Sequence, residues 1–226
     1  MILDKFENFL LTQVIRKIME IIPLITMKKR KILQNNFTER EITDKINEID
    51  KVYILDLDGI QKDKPNLCTI QRLSPTHDLY VDSGPRDLGD VVDLLMAGAF
   101  AVTIRRSLYP QLNIENIREI TENKIYENIE AENEAYSPFI NGITGFVNFS
   151  RFNKDIDLKF EEMLKQINNQ KEVYVYEHDP VNALYWEKRG VNTLLVDIEK
   201  IEEFKVWMAK RKLSLHSSST EVEKQS

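Results

Sequence analysis

Residues 51–60 read KVYILDLDGI and residues 79–107 read LYVDSGPRDLGDVVDLLMAGAFAVTIRRS. Each stretch begins with an apolar run of strand length that ends in carboxylates, Asp56 and Asp58 in the first and Asp82 in the second. In the second stretch Asp87 stands where an acid caps a helix. Hydrophobic residues then recur at helical spacing, and Ala97-Gly98-Ala99 closes the helix directly before another buried strand. Strand, turn, helix and strand in this order is the repeating unit of a parallel β/α barrel. In such barrels the chemistry sits where the strands end, which places Asp56, Asp58, Asp82, Arg86, Arg105 and Arg106 on the functional face.

The same unit recurs on both sides of these stretches. Upstream, Ile21 to Thr26 is expected as the first strand and Lys28 to Leu33 as its hairpin extension. Thr38 to Glu41 reads as a capping box for a helix with Ile42, Ile46 and Ile49 on one side. The second strand is expected from Val52 to Leu57, with Asp58-Gly59 suiting a turn and Pro65 preceding a short helix near Leu67. Downstream, Asn113 is placed to cap a helix burying Ile114, Ile117 and Ile120. Strands are expected from Lys124 to Glu132, from Ile143 to Phe149, from Glu172 to Tyr176 and from Asn192 to Val196. Met163, Leu164 and Ile167 share a helical face after the sixth strand, Asp179-Pro180 opens a helix ended by Gly190, and Asp197 leads into the last helix. Eight units close a parallel barrel with right-handed crossovers. The expected fold is therefore α/β, a single (β/α)8 TIM barrel over residues 19–213. It carries an extra N-terminal helix at residues 1–18 and a disordered polar tail at 214–226.

Bulk properties narrow the function classes. With 226 residues, 42% of them hydrophobic, the chain can bury one large core without a second domain. A formal charge of -6, from 31 basic and 37 acidic residues, argues against a nucleic-acid partner. The single cysteine, Cys68, excludes an internal disulfide framework, so the cytoplasm is the expected location. The N-terminal stretch is apolar, but Asp4, Lys5, Glu7, Arg16, Lys17 and Glu20 interrupt it, and no membrane span is expected. Leu3, Phe6, Leu10, Val14 and Ile18 share one face of it, expected to pack under the barrel in preference to anchoring at a membrane surface, since the other face is mixed in charge, or to mediate self-association or docking of a partner.

Several stretches resemble a known family. Residues 20–33 (EIIPLITMKKRKIL), 53–60 (YILDLDGI), 81–102 (VDSGPRDLGDVVDLLMAGAFAV) and 142–151 (GITGFVNFSR) are similar to the HisA/HisF barrels of histidine biosynthesis. The resemblance spans Met19 to about Met208. It implies a phosphoribosyl-type, phosphorylated small-molecule ligand and an aldose-ketose isomerisation or imidazole ring closure, with no cofactor and no metal. It also implies Asp56 as a catalytic acid, with Glu130 as the second or, in a shifted register, Asn128 in its place. Thr26 stands where the family carries its first catalytic aspartate, and threonine is a poor general base near neutrality.

The phosphate-gripping turns differ from the family in the same way. The triple-glycine run after the third strand is Asp82-Ser83-Gly84 here, with Arg86 at the family's arginine position, and Arg105 replaces the glycine ending the fourth strand. Gly84, Arg86, Arg105 and Arg106 are the expected phosphate ligands. The arginines either fork onto a phosphate or pair with neighbouring acids. On the opposite side Glu177-His178-Asp179 and Asp197 replace glycines, which disfavours a second phosphate, and Asp179 and Asp197 are expected to cap their helices. His77 and His178 are expected at the surface, Cys68 in packing, and the basic run Lys28 to Lys31 either lines the mouth near the first strand or is a solvated hairpin. The competing function is a non-catalytic paralogue that binds a ligand or a protein.

Overall fold

Alternation decides how each strand divides its side chains. In β3 (Lys51–Asp56) Val52 and Ile54 face outward to the helices while Tyr53 faces inward, and the same alternation runs through β1 (Glu20–Lys28), β4 (Asp78–Asp82) and β5 (Ala101–Ile104). With β6 (Lys124–Ile129), β7 (Gly145–Asn148), β8 (Glu172–Tyr176) and β9 (Thr193–Asp197), these strands pair in parallel in chain order. β9 returns to pair with β1, in a register that sets Glu20 against Thr193 and Leu24 against Asp197. The sheet is thus a closed barrel of eight parallel strands, the (β/α)8 architecture. The two-residue strand β2 (Lys31–Ile32) folds back antiparallel on β1 as a hairpin. The computed structural model describes residues 19–33, 39–47, 49–129, 141–149, 162–167, 170–191 and 193–210. The expected helix at residues 1–18 with its docking role, the cap at Thr38, the candidate Glu130 and the tail at 214–226 lie outside them.

Helices cover the strands: α1 (Glu39–Ile46), α2 (Leu57–Lys62), α3 (Leu67–Leu73), α4 (Leu88–Met96), α5 (Ile114–Ile120), α6 (residues 162–167), α7 (Ala183–Lys188) and α8 (residues 201–210). Their caps follow the sequence at three places: Asp87 accepts from the Asp90 N–H, Asn113 from that of Glu115 and Asp179 from that of Val181. Gly98 leaves α4 at φ +95, the left-handed step a glycine makes without strain. Between sheet and helices lies one continuous apolar layer. The barrel interior is a separate cluster of Ile22, Leu24, Tyr53, Tyr80, Ala101, Tyr126, Val147, Tyr174 and Leu195.

Several local expectations change. Ile120, expected in the core with Ile114 and Ile117, is exposed at the end of α5. The segment read as a turn at Asp58-Gly59 is the first turn of α2, because Asp56 ends β3 and accepts the N–H groups of both residues. His77 is buried rather than superficial: its Nδ1 lies 2.7 Å from Thr76 Oγ1 and its Nε2 3.0 Å from the Ile46 carbonyl oxygen, tying the end of α1 to the end of α3. Cys68 is exposed on α3, with Ile70 and Leu73 supplying that helix's buried side. No helix among the described residues is long and apolar enough to cross a membrane.

Candidate functional site

Asp56 ends β3 fully buried, and its carboxylate is surrounded by donors. Oδ1 accepts from the Asp58 N–H at 3.1 Å, the Gly59 N–H at 3.3 Å and Asn66 Nδ2 at 2.6 Å. Oδ2 accepts from the Asn66 N–H at 2.6 Å and Ser83 Oγ at 3.1 Å. A carboxylate has about four lone-pair sites, so five donors saturate it. The group ties the start of α2, the cap of α3 and the turn after β4 into one knot. Asp58, two residues on, accepts from the Arg30 N–H at 3.1 Å and from Lys62 Nζ at 3.1 Å. Desolvation pushes its pKa up, but Lys62, the Arg30 N–H and the Asn66 amide outweigh that and hold it at about 2.

The two adjacent arginines after β5 turn to opposite sides of the sheet. Val102 and Ile104 belong to the outer layer and Ala101 to the interior, so the pleat sends Arg105 inward and Arg106 outward. Arg105 forks onto the fully buried Asp82, with Nε 3.0 Å from Oδ1 and Nη2 2.8 Å from Oδ2. Arg106 forks onto Glu127, which lies between Ile125 and Ile129 on the helix-facing side of β6 and is also fully buried. Of the two roles the sequence leaves open for these residues, the structure displays ion pairing.

Arg86 is equally engaged. Its Nη1 donates to the carbonyl oxygens of Gly59 at 3.2 Å and Gly84 at 3.1 Å and to Asp63 Oδ1 at 2.7 Å, and its Nη2 donates to the Ile60 carbonyl at 3.1 Å. It fastens the end of α2 to the turn after β4. Gly84 adopts φ +61, and a Cβ there would stand 2.6 Å from Leu108 Cδ1, so the position requires glycine for its fold irrespective of any ligand.

On the far side of the mouth a carboxylate occupies an anion seat directly. Glu177 is buried after β8, and its Oε1 accepts the backbone N–H groups of His178 at 2.8 Å and Asp179 at 2.9 Å, while Oε2 accepts from Trp186 Nε1 at 2.9 Å. Consecutive N–H groups at a strand-to-helix turn are the donors that receive a phosphate in glycine-rich barrels. Here the protein's own side chain fills them. Asp197 makes no capping bond, contrary to expectation, and instead accepts from Tyr176 Oη at 2.6 Å across neighbouring strands. Thr26 stands half-buried on β1 beside Leu55 of β3.

The structure also sets the register that the sequence left open at the end of the fifth barrel strand. Asn128 of β6 pairs with Val147 of β7, two residues beyond the interior Tyr126 and on the same face. It is buried, and its Nδ2 donates to nothing among the described residues. A buried unpaired amide costs about 1–3 kcal/mol, so such a group marks a place where a ligand acceptor would be welcome. In the sequence Asn128 stands only as the shifted-register alternative to Glu130. Its orphan donor has no signature in sequence, because it follows from what surrounds it.

Neither a scan against protein-family models nor a search of curated proteins returns a match. What is shown of this chain is therefore the barrel. Among the described residues no group of three His, Cys, Asp or Glu side chains could hold a metal ion.

Proposed function

We propose that this chain is a diverged HisA/HisF-like barrel that works by binding and no longer performs the family's sugar isomerisation. The observation that carries the reading is Asp56. A general base must present a lone pair to the substrate, and the one acid at a family catalytic position within the described residues accepts five hydrogen bonds from its own fold. Thr26 supplies no replacement acid, and the N–H groups of His178 and Asp179 already hold Glu177. An active phosphoribosyl isomerase using Asp56 and Glu130, with its phosphate on Gly84, Arg86, Arg105 and Arg106, would have to dismantle the Asp56 knot and the Asp82–Arg105 pair on every substrate encounter. The unpaired Asn128 amide supports a ligand at the mouth, one that presents an acceptor to it.

Complementation tests this reading. Expressed as soluble protein in a histidine-requiring strain that lacks the isomerase, the chain is expected not to restore growth. Restored growth that is lost in an Asp56→Asn variant would refute the proposal and reinstate the isomerase.

A further inference from the structure

Beside the mouth, and sharing with it only Asp58, its partners Arg30 and Lys62, and Asn66, lies a cleft of about 670 Å³ between the β1–β2 hairpin and the loop joining α2 to α3. That volume is within the range of small-molecule sites. Lys29, Arg30, Lys62 and Lys64 line it together with Asp58, Asn66, Pro65, Leu67, Cys68 and Thr69. Four cations thus face one carboxylate, on a molecule whose formal charge is -6. The contrast is local, and a concave wall of one sign focuses the field on a ligand of the other.

Two further observations separate this basic cluster from an ordinary solvated surface. The first is engagement. Arg86, Arg105 and Arg106 are held by carboxylates, whereas the charged ends of Lys29, Arg30 and Lys64 have no hydrogen-bond or ion-pair partner among the described residues. The second is strain. Met27 pairs with Ile32 and Lys28 with Lys31, so Lys29 and Arg30 form a two-residue hairpin turn, at φ 52 and φ 60. A turn with both central residues left-handed selects Asn-Gly or similar pairs, and long cationic side chains there carry a conformational cost. The hairpin accepts that cost and sets two cations at the edge of the cleft, with the Arg30 N–H anchored on Asp58 at 3.1 Å.

We infer that this cleft is an anion-binding site for a small organic phosphate or diphosphate, its charged end held by Lys29, Arg30 and Lys64 and its body lying over Pro65 and Leu67. Lys62 is the fourth cation and is partly neutralised by Asp58, 3.1 Å away. The site opens at the strand-end face, where barrel ligands bind, yet it uses neither the turn after β4 nor the one after β8. The inference is independent of whether the barrel catalyses anything.

The test is calorimetric titration of the whole chain with inorganic pyrophosphate at low and moderate salt. The wild type is compared with Lys29→Asn/Arg30→Gly and with Lys64→Ala. The first variant removes two charges and relaxes the turn, so a loss of binding cannot be ascribed to misfolding when its melting temperature is at or above that of the wild type. Expected is saturable binding to the wild type, weakened by salt and by about ten-fold or more in each variant. No saturable binding to the wild type, or affinities in the variants that fall by less than this, would overturn the site. Neither result bears on growth complementation, so the two proposals fail separately.

Discussion

Raising the pH through the tyrosine range should unfold this barrel from inside. Tyr53, Tyr80, Tyr126 and Tyr174 project into the barrel interior with at most 2% of their surface exposed. Tyr53 Oη shares a hydrogen with Thr103 Oγ1 at 2.9 Å. The hydroxyls of Tyr126 and Tyr174 lie 3.0 Å apart, and both bond Glu172. Burial raises all four pKa values, with the Asp82 charge adding to the effect at Tyr53 and with Tyr174 and Glu172 adding to it at Tyr126. A phenol whose folded pKa is raised gives up no stability below the unfolded value of about 10, and above it the unfolded chain gains about 1.4 kcal/mol per pH unit per tyrosine. Tyr53, Tyr126 and Tyr174, whose values are raised furthest, amount to about 4 kcal/mol near pH 11, approaching the whole stability of a typical domain at about 5–15 kcal/mol. Stability should therefore be flat in this respect up to about pH 10 and fall steeply beyond it. Phenolate absorbance followed in parallel with far-ultraviolet circular dichroism checks this. Phenolate formation by the buried set should coincide with loss of secondary structure. All eight tyrosines ionising smoothly near the ordinary phenol value of about 10 while the dichroism stays native would refute the interior placement.

Other outcomes follow from single contacts. Gly59→Ala places a Cβ 2.4 Å from the Ser83 carbonyl oxygen, so urea unfolding should show a loss of at least about 1–3 kcal/mol, the cost of overpacking. Glu177→Ala strips the acceptor from two backbone N–H groups and from the Trp186 indole, and about 2–4 kcal/mol should be lost by the same measurement, with Trp186 fluorescence shifted in the native state. Lys29→Asn/Arg30→Gly should raise the unfolding free energy by about 1–2 kcal/mol through relief of left-handed strain, and a lowered value would refute the turn geometry. At Glu172 desolvation opposes ionisation, but Lys124, Tyr126 and Tyr174 prevail and its pKa is lowered. Its stabilisation should thus be present above the ordinary glutamate value and lost as pH falls through the folded one, and Glu172→Gln should flatten that acid limb of a pH-stability profile.

The order of strands and helices was legible in the chain because the signals are local. Period-two runs such as residues 51–56, the caps Asp87, Asn113 and Asp179, and Gly98 and Gly190 each depend on a few neighbouring residues, and eight such units in order leave a closed parallel sheet as the way to pair every strand. Which strand-end groups remain available for chemistry was not legible, because that depends on contacts across the barrel. Asp56 meets Asn66 and Ser83, Asp82 meets Arg105, Glu127 meets Arg106, and Glu177 turns onto the N–H groups beside it. Sequence nominated Asp56, Asp82, Glu177 and the arginines by type and position, but not Glu127. Only the tertiary structure could show that they neutralise one another, since a charge loses its partner water on burial and takes the nearest opposite group. The same physics left Lys29, Arg30 and Lys64 exposed around a cleft, where the loops that form it come from different units and no single stretch of chain announces it.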